Sequence, residues 1–107
     1  MRTSLIAGLA VVAGAGLLAS TAASGATTVR VKDFSFSPAS VTVNPGSTVT
    51  FRWAGRAPHN VTVTSGPVRF KSTTKTKGSY RRKLSRKGTY RFVCTVHPNM
   101  KGRVRVR

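Results

Sequence analysis

The sequence predicts an all-β fold, a sandwich or small barrel of about seven to eight short strands. Three observations carry that prediction: composition, period-two alternation and regularly spaced turn signals. Beyond residue 26 the chain holds twelve Val and five Phe, but one Leu, no Ile, no Glu and no Gln. Apart from Lys and Arg, residues that favour helix are nearly absent, while β-branched and aromatic ones are abundant. Turn residues break the apolar runs at Ser37-Pro38, Asn44-Pro45-Gly46, Ala57-Pro58, Ser65-Gly66-Pro67, Lys77-Gly78, Lys87-Gly88 and Lys101-Gly102. Short strands spaced in this way, apolar on alternate residues, bury one face against a second sheet.

Taken in order, Val29 and Val31 alternate with Arg30 and Lys32, and Val41 and Val43 flank Thr42. Val49, Phe51 and Trp53 alternate with Thr50 and Arg52, and Val61 and Val63 follow His59 at the same parity. Tyr90, Phe92 and Cys94 share one face, and Val104 and Val106 alternate with Arg103, Arg105 and Arg107. Successive strand side chains go to opposite sides, so these arginines belong on the outer surface. No internal repeat or long linker divides the 107 residues, which are enough for one domain.

The N-terminus reads as a secretory signal. Arg2 supplies a positive start, residues 5–19 form an apolar run rich in Ala, Gly and Leu, and Ser24-Gly25-Ala26 offers small residues for cleavage. The run is short for a membrane span, which needs about 20 residues; an uncleaved anchor is the alternative. The expected organisation is a signal peptide over residues 1–26 and a domain over residues 27–107, exported to the periplasm, cell envelope or exterior. Small exported domains usually hold an even number of Cys in disulfides. This one has a single Cys, Cys94.

Charge excludes some chemistry. The whole chain is formally +18, and without Arg2 it is +17, with Asp33 as the sole carboxylate side chain. Acid–base or nucleophilic work by paired carboxylates is therefore ruled out. Such a field favours anionic partners: an acidic docking surface on a protein, an anionic cell-envelope polymer or an anionic lipid. Specific nucleic-acid binding lacks a base-stacking motif and disagrees with export. Self-repulsion favours a monomer.

The densest chemistry lies in residues 94–100, C-T-V-H-P-N-M, which offer a thiol, an imidazole and a thioether within seven residues. Pro98 fixes one φ angle within the turn, and Gly102 is expected to let the chain reverse into the last strand. The loop can wrap one ion with Cys94, His97 and Met100, leaving one position for His59, the only other imidazole beyond residue 26. Two His, one Cys and a weak axial Met form the ligand set of a blue-copper electron-transfer site. Structural zinc takes four Cys or His ligands, and a thioether substitutes badly. Covalent haem through C-x-x-C-H needs a second Cys. Taken singly, Cys94 reads as an inert buried thiol, His59 as a hydrogen-bonded strand-end residue and Met100 as core. A Cys–His nucleophile is the enzymatic alternative, with no feature that suggests a substrate pocket.

The chain resembles the cupredoxins, most closely those of amicyanin and plastocyanin type. The resemblance rests on Phe36-Ser37-Pro38, Val43-Asn44-Pro45-Gly46 with residues 49–53, Pro58-His59-Asn60-Val61, Gly88-Thr89-Tyr90, and Cys94-x-x-His97-Pro98-x-Met100 followed by Lys101-Gly102. It implies a Greek-key β-sandwich, one copper ion held by His59, Cys94, His97 and Met100, and one-electron transfer through the edge of His97. It also implies that Asn60 ties the His59 segment to the Cys94 loop by hydrogen bonds. Val96 stands where amicyanins carry Pro, and Asn99 where they carry an aromatic, which implies a smaller apolar surface around His97. The expected function is that of an exported one-electron carrier working with a redox partner, not an enzyme. The alternatives are a copper carrier or buffer without a redox partner and a cationic polyanion-binding protein of the cell surface.

Overall fold

The alternating runs do contribute strands, six of a total of eight, in a computed structural model that describes residues 26–107. The expected signal segment, apart from Ala26, lies outside the described residues. In chain order the strands are β1 (Ala26–Lys32), β2 (Ser35–Ser37), β3 (Ser40–Val43), β4 (Ser47–Trp53), β5 (Thr62–Ser65), β6 (Ser79–Leu84), β7 (Gly88–Val93) and β8 (Lys101–Val106). Among the described residues there is no helix.

Two mixed four-stranded sheets make a Greek-key sandwich, ordered β2-β1-β4-β6 and β3-β8-β7-β5. Strand β1 runs parallel to β4, with Val29 opposite Phe51, and β3 runs parallel to β8, with Val41 opposite Val104. The remaining pairs are antiparallel. Between the sheets lie Val29, Val31, Val43, Val49, Phe51, Phe92, Val104 and Val106, each almost wholly withdrawn from water. Burying such a side chain stabilises by about 1.5–3 kcal/mol. Phe92 is central, meeting Phe36 edge-on at 4.8 Å and Phe51 at 5.3 Å between ring centres. Aromatic quadrupoles favour this edge-to-face arrangement over face-to-face stacking.

Strands β2 and β6 are absent from the alternating runs above. In β6 the succession Arg81-Arg82-Lys83 conceals the period: Leu84 is buried and Tyr80 half-buried, and Arg82, between them, turns to the same side. Its guanidinium lies over the Phe70 ring at 4.8 Å, so a cation at an inward position is accommodated by an aromatic face. The role expected for Gly102 also changes. The loop before β8 turns at Asn99, whose φ is +70°, and Gly102 lies within the strand. A Cβ there would meet the Ala39 carbonyl and the Phe92 ring at 2.8 Å, so glycine is needed for close packing.

This framework delivers one end of the sandwich to the site. Thr62 of β5 pairs with Val93 of β7, so the residues just before β5 and just after β7 come together. His59 and Cys94 occupy those two places.

Candidate metal centre

Cys94 follows β7 directly and keeps its inward parity, with Tyr90, Phe92 and Cys94 all at 3% exposure or less. The loop after it is closed by its own backbone. The Cys94 amide donates to the Met100 carbonyl at 3.0 Å, the Met100 amide to the His97 carbonyl at 3.3 Å and the His97 amide to the Cys94 carbonyl at 3.5 Å. Met100 is buried, His97 is half-buried, and Val96 stands out to solvent.

His59 is approached from the other side of the chain. It precedes β5 rather than belonging to it, and it is locked by reciprocal amide–carbonyl bonds with Lys75 at 2.9 and 3.0 Å. The indole N–H of Trp53 donates to the His59 carbonyl at 3.0 Å, and the Lys75 ammonium lies over that indole at 4.8 Å. The His59 ring has no exposure.

The two segments are stitched by Asn60, as the resemblance implied. Its Nδ2 donates to Thr95 Oγ1 at 2.8 Å and to Thr74 Oγ1 at 3.0 Å. Its Oδ1 accepts from the Thr95 amide at 3.1 Å and from the Thr62 hydroxyl at 2.9 Å. A buried amide with its donors and acceptor all engaged specifies position strongly.

Three donor atoms converge as a result. Nδ1 of His59 and Nδ1 of His97 are 3.1 Å apart, and Sγ of Cys94 lies 3.9 Å from the first and 3.6 Å from the second. Atoms bound at about 2.0–2.3 Å to one first-row ion stand roughly 3–4 Å from each other, so the cluster has the dimensions of a single metal site. The sequence-derived set is thus brought together in three members. Met100, the fourth, is buried and joined by its backbone to both loop ligands. Cys94 is a free thiol, and a soft sulfur beside two imidazoles suits copper.

Two further residues, Asp33 and Phe34, belong to the site and were not anticipated from sequence. Both lie in the turn between β1 and β2. Oδ1 of Asp33 is 2.9 Å from Nε2 of His59, and the carboxylate also accepts from the amides of Arg56 and Ala57. The Arg56 amide first, then His59 and the Ala57 amide, hold its pKa down at about 2. The carboxylate thus faces Nε2 of His59, while Nδ1 of the same ring faces His97 and Cys94. Phe34, at φ +72° and 63% exposed, sets its ring edge-on to His97 at 5.0 Å and to His59 at 6.1 Å between centres. The apolar surface expected to be small around His97 therefore gains a phenyl ring. One signal for Asp33 was available in the sequence: it is the sole acidic side chain.

The family model "Copper binding proteins, plastocyanin/azurin family" matches residues 23–107. Amicyanin-alpha of Methylorubrum extorquens is 36% identical over 99 residues, covering 89% of this chain and 83% of the relative. Among solved structures, a reduced amicyanin carrying a tryptophan-to-tyrosine substitution superposes with a TM-score of 0.67 at 32% identity, over 79% of this chain and 85% of that one. A copper-containing nitrite reductase of Thermus scotoductus gives 0.65 at 28% identity over 75% of this chain, but the match spans 22% of that enzyme. The chain belongs to the plastocyanin/azurin family of copper binding proteins, and copper is its cofactor.

Proposed function

We propose that the chain is an exported type 1 copper protein that carries single electrons, its copper to be held by Cys94, His59, His97 and Met100. The observation that supports this most strongly is the convergence of Nδ1 of both histidines with Sγ of Cys94 at one end of a packed sandwich. Copper, when bound, supplies a one-electron couple between its +2 and +1 states.

The protein's contribution is to fix the donors. His59 is buried and held by Lys75 and Trp53, and the loop carrying Cys94, His97 and Met100 is tied to it through Asn60 and Thr95. Donors held in this way would move little if a bound copper changed oxidation state, and reorganisation would then be small. His97 is half-buried between Phe34 and Val96, both exposed, so this end offers an apolar approach for a redox partner. That suits electron transfer through the imidazole edge.

Charge supports a partner of opposite sign. All Lys and Arg side chains of the described residues are exposed except those of Lys75 and Arg82, which are half-buried. Cross-strand neighbours such as Arg91 and Arg103 leave the outer face of β7 and β8 cationic. An acidic docking surface on a redox partner, or an anionic cell-envelope polymer or lipid, would be drawn to it, and both encounters would weaken with salt. The same repulsion disfavours self-association and supports a monomer. The signal-like residues 1–26 support export.

The test is spectroscopic. Protein loaded with Cu(II) should show an intense blue band that bleaches on reduction, with the narrow copper hyperfine splitting of a thiolate-bound centre in electron paramagnetic resonance. Cys94→Ser should abolish both, whereas a Cys94→Ser protein that stayed equally blue would refute the ligand assignment.

A further inference from the structure

Asp33 is the one carboxylate side chain in a chain of 107 residues, and it is spent on the back of a buried imidazole. Its surroundings are built for it. The Arg56 amide reaches both carboxylate oxygens at 3.0 Å, and the Ala57 amide reaches Oδ1 at 2.9 Å, the same oxygen that His59 Nε2 meets. Gly55 makes the approach feasible: a Cβ there would overlap the Asp33 carboxylate and come within 2.7 Å of the Asp33 amide nitrogen. An exposed turn thus delivers an anion to a ring that has no solvent contact of its own.

We infer that Asp33 is a positioning residue of the copper centre, acting through His59 to fix its tautomer and to favour the more highly charged state of the metal. This rests on the copper reading proposed above. Two physical effects follow from the geometry. A carboxylate accepting from Nε2–H locks the ring so that the Nδ1 lone pair points at Cys94 and His97, and it makes that nitrogen more basic. A negative charge one imidazole away from the ion stabilises a +2 centre more than a +1 centre. Asp33 is the only acidic side chain in the sequence, so no other carboxylate side chain can supply this charge at the centre.

A purely structural role, pinning the β1–β2 turn to residues 55–57, would affect stability alone, and three measurements separate the two. In the metal-free wild-type protein, long-range proton–nitrogen spectra should show His59 protonated on Nε2 and slow to exchange. His59 protonated on Nδ1 would overturn the inference even if the copper reading stands, and this readout needs no metal. Asp33→Asn keeps an oxygen acceptor and removes the charge. In copper-loaded protein it should shift the balance from Cu(II) toward Cu(I) by about tenfold, a rise in potential of about 59 mV, with Cu(II) affinity falling about 10-fold. Gly55→Ala, which displaces the carboxylate without neutralising it, should move the potential in the same direction, and Asp33→Glu should restore part of the wild-type value. An Asp33→Asn protein with lowered stability and an unchanged potential would leave Asp33 structural only. If wild-type protein bound no copper, the copper reading would fail and with it the role at the metal, while the tautomer measurement would still decide whether Asp33 fixes the His59 ring.

Discussion

The two halves of the centre are made by different means. Cys94, His97 and Met100 lie within seven residues, in a loop closed by three of its own amide–carbonyl bonds. The His59 half is gathered from across the fold: His59 is 35 positions from Cys94, and its partner Asp33 is 26 positions before it, in the β1–β2 turn. The local half reaches the surface through half-buried His97, whereas the assembled half has no exposure at His59. A short loop can gather several donors and leave one edge accessible. A distant donor must be held by the tertiary structure, and here a strand pairing, an indole, a lysine backbone and a carboxylate all take part.

The largest expected effect falls on the local half: Cys94→Ser should remove the intense visible band altogether. The contrast in exposure then separates the two histidines. With His97→Ala, added imidazole should reach the vacated position and restore much of the blue spectrum. With His59→Ala it should not, because that position is sealed by the core. Equal rescue of both variants, followed by visible titration, would show that the two halves are equally open.

Asn60→Ala tests the seam between them. Four hydrogen bonds are lost and the Thr95 amide is left without this acceptor, so unfolding in urea should reveal a loss of about 2–4 kcal/mol. Gly102→Ala should cost about 1–3 kcal/mol by overpacking against Phe92 and the Ala39 carbonyl, with the spectrum preserved. The smallest effect lies outside both halves. Burial raises the Tyr90 phenol above its ordinary 10.0, while its hydroxyl donates to the Arg86 carbonyl at 2.7 Å. The unfolded chain therefore loses this proton first as pH rises, and the contribution of Tyr90 is complete below pH 10 and declines above it. Denaturation of wild type and Tyr90→Phe should differ at neutral pH and converge in strong alkali.

The contrast also explains what sequence could reveal. The local half was legible because its donors are neighbours and follow a strand of clear parity. His59 was legible because no other imidazole remained to complete the set. Asp33 and Phe34 were not, since only the path of the β1–β2 turn over the end of the sandwich brings them to the histidine rings. Strand β6 was hidden by its three successive cations, one of which packs inward on Phe70. The role of Gly102 depends on the proximity of Ala39 and Phe92, which no local pattern records.

Extended X-ray absorption at the copper edge of the loaded protein tests the proposed ligand set most directly. One short copper–sulfur bond with two copper–nitrogen bonds is the expected result, the sulfur disappearing in Cys94→Ser and one nitrogen in His59→Ala. A copper surrounded by nitrogen and oxygen alone, or a spectrum indifferent to the loss of His59, would contradict it.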